Sequence, residues 1–289
     1  MYDLHMHTTY CDGKNTAEEM VLAAIDKGLD TVGISGHSFT PHDTSYCMSR
    51  EGSESYNREL RELADKYAGR IRVLTGIERD YYADISIEAY DYVIGSLHYL
   101  FYDGCWTDVD DNPQKLMDFA DRHFDGDMMC LAELYYKTLE NIVSRTDCDI
   151  IGHFDLITKF NEIYRITEEG KIADLRDQTG DTACPGLKRL FDISDPRYTA
   201  SWKKAVDRIF AETAGRANRL EALGLFTAGD KPVFEINTGA ISRGYRTVPY
   251  PAQDQIDYIK SKGGILILNS DSHSIDSVCC GFDEFSKLL

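Results

Sequence analysis

Eight residues able to ligate a divalent cation recur along this sequence in short polar motifs: His5-Met-His7, His37, Glu78, His98, His153 and Asp271-Ser-His273. In His5-Met-His7 the two imidazoles are two residues apart, a spacing that turns both to one face of an extended chain and lets them reach one ion. Asp271-Ser-His273 repeats the spacing with a carboxylate in place of one imidazole. Glu78 ends the apolar run Arg72-Val-Leu-Thr-Gly-Ile-Glu, where an ionised carboxylate is costly unless it is paired or bound to a cation, and a carboxylate can bridge two ions. For His98 or His153 alone, a hydrogen-bonded core histidine is the simpler explanation. With six of the eight histidines in equivalent places, a site for two to three divalent ions is expected. Imidazole and carboxylate without thiolate suit zinc, manganese or iron and do not choose among them. Of the other two histidines, His42 in Thr40-Pro-His-Asp could line the mouth of such a site, and His123 belongs to a polar helix.

What places these residues together is a series of strand ends. Seven short apolar segments read as buried strands, at 2–5, 31–35, 73–77, 92–96, 149–151, 233–236 and 265–268. Each delivers a polar residue at or just past its C-terminal end: His5 and His7, His37, Glu78, His98, His153, Asn237, and Asp271 with His273. Helical stretches lie between them, at 16–27 with Thr16 and Glu19 as a capping box, 53–67, 115–123, 128–145, 200–223 and 252–262. Alternating strands and helices favour a parallel sheet, and chemistry gathered at the C-terminal ends of many strands favours closure. The expectation is an α/β fold, a distorted TIM-like (βα)7 barrel, formed as one domain over residues 1–289. Residues 161–198, rich in charge, Gly, Pro, Asp and Thr, read as an insertion or lid over the barrel mouth.

Composition narrows the partners. Lys and Arg number 31 against 49 Asp and Glu, and the net charge of -18 repels a polyanion, so nucleic acid is not expected to bind. No apolar run approaches the roughly 20 residues of a membrane-spanning helix. Eight cysteines without a Cys-x-x-Cys pair, behind a start that lacks a basic and apolar leader, fit free thiols in the cytoplasm.

In this order the motifs His5-Met-His-Thr-Thr-Tyr-Cys-Asp-Gly13, His37, Glu78, His98, His153 and Asn269-Ser-Asp-Ser-His273 resemble the PHP (polymerase and histidinol phosphatase) superfamily nearly end to end. Gly152-His-Phe-Asp-Leu-Ile-Thr-Lys-Phe160 and Phe234-Glu-Ile-Asn-Thr-Gly239, followed by Tyr250-Pro251, are similar to its histidinol-phosphate phosphatase branch. The resemblance implies a trinuclear site: one ion on His5, His7, Glu78 and Asp271, a second on Glu78, His98 and His153, a third on Asp12, His37 and His273. The sequence departs from the branch at Asp12, where a His is common, and at Thr158, where a basic residue is common.

The implied reaction is hydrolysis of L-histidinol phosphate to L-histidinol and phosphate, a step of histidine biosynthesis. Clustered divalent ions clamp a phosphate monoester and lower the pKa of water, so a metal-bridging hydroxide, coordinated through Glu78, Asp271 and His273, attacks in line without a covalent protein nucleophile. Arg243, with Lys159 and Arg246, is the expected phosphate-binding set, and His42 and Asn237 are further substrate-side candidates. Two alternatives share the motifs: another PHP phosphoesterase acting on a nucleotide or other small ester, and a metal-binding protein without turnover.

Overall fold

The computed structural model describes residues 1–177 and 186–289. All seven expected strands are present, at Tyr2–Asp3, Thr31–Ile34, Arg72–Asp80, Tyr92–Ser96, Ile150–Ile151, Val233–Asn237 and Ile265–Asn269. They form one seven-stranded sheet in sequence order, and every pairing is parallel. The first and last strands meet just above the sheet, where Met6 bridges Ser272 through His7 N–H to Ser272 O (2.8 Å) and Ser272 N–H to His5 O (3.2 Å). The result is the nearly closed, distorted (βα)7 barrel expected.

Alternation along the strands divides the interior into layers. Leu74, Tyr92, Ile94, Ile150, Val233 and Ile267 form an apolar plug in the lower barrel. Tyr92 is its largest member, and two glycines make room for it. A Cβ at Gly33 would lie 2.2 Å from the Tyr92 hydroxyl, and one at Gly76 2.2 Å from Cζ of the ring. The Tyr92 hydroxyl donates to Leu4 O, which satisfies its one polar atom. The outward-facing Val32, Ile34, Phe234 and Ile236 pack under the surrounding helices.

The first helix, Ala17–Asp26, begins with the expected capping box between Thr16 and Glu19. Two expected helices are shorter than their hydrophobic pattern. The stretch 128–145 divides into Met128–Leu139 and Ile142–Thr146, and the stretch 200–223 becomes Pro196–Thr213 and the turn Arg219–Ala222. The long one starts early because Asp195 caps it and Pro196 occupies its first turn, and it stops before Gly215 at positive φ. Periodicity did not reveal the hairpin Tyr99–Tyr102/Cys105–Asp108, whose turn residues Asp103 and Gly104 both adopt positive φ. The expected insertion at 161–198 falls partly outside the described residues. Its described part carries the hairpin Tyr164–Ile166/Ile172–Asp174, with Lys188 bridged to Ile166. No helix among the described residues is long and apolar enough to cross a membrane.

Candidate metal centre

Six of the seven strands lift donors out of the apolar plug into one polar layer, the exception being Val233–Asn237. Beyond the first strand, His5 and His7 point inward while Met6 packs outward. The pairing of the second and third strands extends to a bridge between His37 and Glu78, which brings these two together. Asp271 adopts φ 49°, unusual for a residue other than Gly or Asn, and Gly239 leaves space for it: a Cβ there would lie 2.5 Å from Asp271 Oδ2.

Glu78 is the hub. Its Oε2 lies 2.9 Å from His37 Nδ1, 3.2 Å from His5 Nε2 and 3.5 Å from His7 Nε2. Its Oε1 lies 2.8 Å from His153 Nε2 and 3.3 Å from His98 Nε2, and accepts from Ser96 Oγ at 2.6 Å. Asp271 Oδ1 is 3.1 Å from His7 Nε2 and 3.7 Å from His5 Nε2. Asp12 Oδ2 is 3.2 Å from His273 Nε2, and its Oδ1 is 3.7 Å from both His7 Nδ1 and His37 Nε2. All nine expected ligands therefore stand in one continuous cluster. By distance alone eight of the nine donors fall into three groups, His5/His7/Asp271, His37/Glu78/His98 and His7/Asp12/His37/His273, with His153 joined to them through Glu78. This partition differs from the one the resemblance implies: His7 and His37 each serve two groups.

The donor chemistry fits divalent ions. His5 Nε2, His7 Nε2 and Glu78 Oε2 are buried, face one another, and have no hydrogen-bond partner. Leaving such atoms unsatisfied is costly, and a cation among them removes the cost. Electrostatics agree. Burial pushes the Glu78 carboxyl up, yet His37, His5 and His98 hold it well below the usual range. Burial also opposes a charge on His5, yet Glu235, Glu78 and Asp271 hold its pKa well above the ordinary value. His7, buried and beside His273 and His37, is pushed down to about 3. Two anionic carboxylates wrapped in imidazoles thus form a nest of negative potential that a divalent ion neutralises in place of protons.

The cluster opens into a cavity of about 810 Å³, lined on its outer part by Asp43, Tyr46, Tyr99, Asp110, Lys159 and Arg243. Arg243 donates from Nη1 to His273 Nδ1 (2.9 Å) and from Nη2 to Asp271 Oδ2 (3.1 Å), while its buried Nε has no partner. Lys159 Nζ donates to Asp110 through the carbonyl (2.6 Å) and the carboxylate (3.0 Å).

Three expected substrate-side residues are not on the cavity wall. Arg246 is buried, donates to Thr158 Oγ1 at 2.7 Å, faces Asp155 and lies over the Tyr250 ring, so its charge is already committed. Asn237 turns into the barrel and donates to Glu235 Oε1 at 2.8 Å. His42 is exposed and stacks on Trp106 of the hairpin, with ring centroids 4.2 Å apart.

The sequence also hid residues that organise the donors. Asp80 accepts the His98 backbone N–H at 3.1 Å and lies 3.3 Å from its Nδ1, and Glu235 lies 2.8 Å from His5 Nδ1. The one available signal was a charged residue in an otherwise apolar strand, as in Val233-Phe-Glu-Ile.

Fold and site together define an α/β barrel of the class that gathers divalent ions at the C-terminal ends of its strands. The chain belongs to the PHP domain family, which matches residues 3–181. A protein of Deinococcus radiodurans named a probable histidinol-phosphatase is 31% identical over 172 residues, covering 56% of this chain and 63% of that protein, so the chain spans less than two thirds of this relative's length. A Schizosaccharomyces pombe protein of the same name is 24% identical over 292 aligned positions, covering 93% of this chain and 79% of its own. The crystal structure of histidinol phosphate phosphatase from Lactococcus lactis, complexed with zinc, L-histidinol and phosphate, superposes with a TM-score of 0.63 over 99% of this chain and 91% of that one. At 16% identity this likeness concerns the fold.

Proposed function

We propose that this protein is a metal-dependent phosphatase that hydrolyses L-histidinol phosphate to L-histidinol and phosphate in histidine biosynthesis, within the cytoplasm. One observation carries the reading: a nine-donor cluster of imidazoles and carboxylates opens onto a cavity that also presents Arg243 and Lys159. The names and the bound ligands of the relatives supply the substrate.

In this assignment His5, His7, Asp12, His37, Glu78, His98, His153, Asp271 and His273 hold two to three divalent ions of zinc, manganese or iron. Bound there, such ions supply charge neutralisation for phosphoryl oxygens and a lowered pKa for water. The protein's own groups then orient the ester. Arg243, fixed by Asp271 and His273, presents its guanidinium to the cavity, and Lys159, paired with Asp110, adds a second positive group at the cavity edge. Asp43, beside Tyr99, adds negative charge to the cavity lining, which suits the ammonium of an amino alcohol better than a second phosphate.

The test is phosphate release from L-histidinol phosphate beside AMP and p-nitrophenyl phosphate, using protein reconstituted with manganese or zinc and an Asp271→Asn/His273→Ala control. Metal-dependent preference for histidinol phosphate is expected. Activity on the other esters alone would discard the substrate, and no turnover by ion-loaded protein would discard the enzyme.

A further inference from the structure

Glu235 is a buried carboxylate that the nine donors do not include. It sits in the middle of the sixth strand, where Phe234 and Ile236 turn outward beneath the helices and Glu235 turns inward, just below the donor layer. A carboxylate in such a place is tolerated only when its lone pairs are occupied. All are. Oε2 lies 2.8 Å from the His5 ring nitrogen Nδ1 and accepts from Asn269 Nδ2 at 2.9 Å. Oε1 accepts from the His153 backbone N–H at 2.6 Å and from Asn237 Nδ2 at 2.8 Å. The two asparagines are register partners on adjacent strands, so Glu235 is clamped from both sides.

We propose that Glu235 is a positioning residue that fixes the tautomer of His5 and the placement of His153, and thereby couples two parts of the ion-binding cluster. Oε2 accepts, so His5 Nδ1 must carry the hydrogen. In the neutral, ion-binding form of the ring the lone pair is then on Nε2, the atom that is buried without a hydrogen-bond partner and lies 3.2 Å from Glu78 and 3.7 Å from Asp271. Through its other oxygen Glu235 anchors the backbone where the chain leaves the fifth strand. That contact sets His153 Nε2 at 2.8 Å from Glu78 Oε1. Gly152 lets the fifth strand lie close against the fourth, since a Cβ there would lie 2.5 Å from Ser96 Oγ. One carboxylate therefore orients a side chain on the first strand and a main chain on the fifth, and the two converge on opposite oxygens of Glu78.

The inference rests on the assignment of His5 and His153 as ion ligands, but not on turnover, so it is tested without substrate. Full-length protein, wild type and Glu235→Gln, is stripped of metal and titrated with zinc against a chromophoric chelator. The amide that replaces the carboxylate has a single acceptor oxygen and cannot accept from both His5 and His153. Zinc affinity is therefore expected to fall about 10- to 100-fold, at more than one equivalent of ion, with the far-ultraviolet circular dichroism of the metal-free protein unchanged. Wild-type affinity and stoichiometry in the variant would overturn the proposal. Nitrogen-15 spectra of the zinc-loaded wild type give a second reading that survives a misfolded variant. His5 protonated at Nδ1 is expected, and His5 protonated at Nε2 would overturn the proposal. Zinc binding that depends on Glu235 in a protein that releases no phosphate from L-histidinol phosphate would remove the proposed activity and leave Glu235 in its role.

Discussion

At the scale of single residues, Glu78 carries more of the site than any other side chain, since five imidazole rings approach its two oxygens. Replacing it with Gln keeps the volume and removes the charge. Glu78→Gln is expected to lower zinc or manganese content measured by mass spectrometry and to cut kcat/KM by more than about 100-fold, beyond the range typical of residues behind the ligands. Gly239 tests geometry without touching a donor. Gly239→Ala would press a methyl group into Asp271, so kcat/KM is expected to fall by about 100-fold with the fold retained by circular dichroism. An unchanged rate would mean that Asp271 has room to shift. Eight of the nine donors were legible because they lie close past a run of apolar residues, where an imidazole or carboxylate has few structural uses, whereas Asp12 entered only through the resemblance to the PHP superfamily. Glu235, Asp80 and Asp110 were not legible. Their roles come from contacts with residues remote in the chain, Glu235 with His5 or Asp110 with Lys159, and no local spacing encodes those.

At the scale of elements, the barrel interior depends on a fit between one large ring and two missing side chains. Gly76→Ala places a Cβ 2.2 Å from the Tyr92 ring, whose hydroxyl is held by Leu4, so the ring has no easy retreat. The variant is expected to lose about 1–3 kcal/mol of stability in urea unfolding, as over-packed cores do. An unchanged midpoint would show that the plug has slack. The seven strands were readable because both of their faces are buried, which makes each a continuous apolar run. Helix boundaries were less so. The breaks after Leu139 and Thr213 come from caps and turns within patterns that stay amphipathic across them. The hairpin at 99–108 announced itself only through Asp103-Gly104, a signal that the apolar strand ends nearby overshadowed.

At the scale of the whole molecule, the ion site doubles as a fastening. The donors come from across the barrel, and without cations Glu78 keeps its charge against the imidazoles of His37, His5 and His98, and Asp271 against the Arg243 guanidinium and the His5 imidazole. Removing metal with a chelator is therefore expected to lower the thermal midpoint by about 5 °C or more, the effect of losing a ligand once present at about 100 times its Kd. Readdition of zinc or manganese should restore it. A midpoint indifferent to chelation would separate the cluster from the stability of the barrel.

The seam between the first and last strands gives this fastening an order in time. His5 and His7 are made before the other donors, and Asp271 and His273, which face them across the Met6–Ser272 bridge, are made after all the rest. A growing chain holds an open half of the cluster while the barrel is synthesised, and the circle of donors closes only when the final strand docks. The group His37/Glu78/His98 is complete before the final strand, but an ion held by His5, His7 and Asp271 is a late arrival by construction. Its capture reports that the barrel has closed, because no stretch of the chain short of the whole circuit brings both ends of the ligand set together.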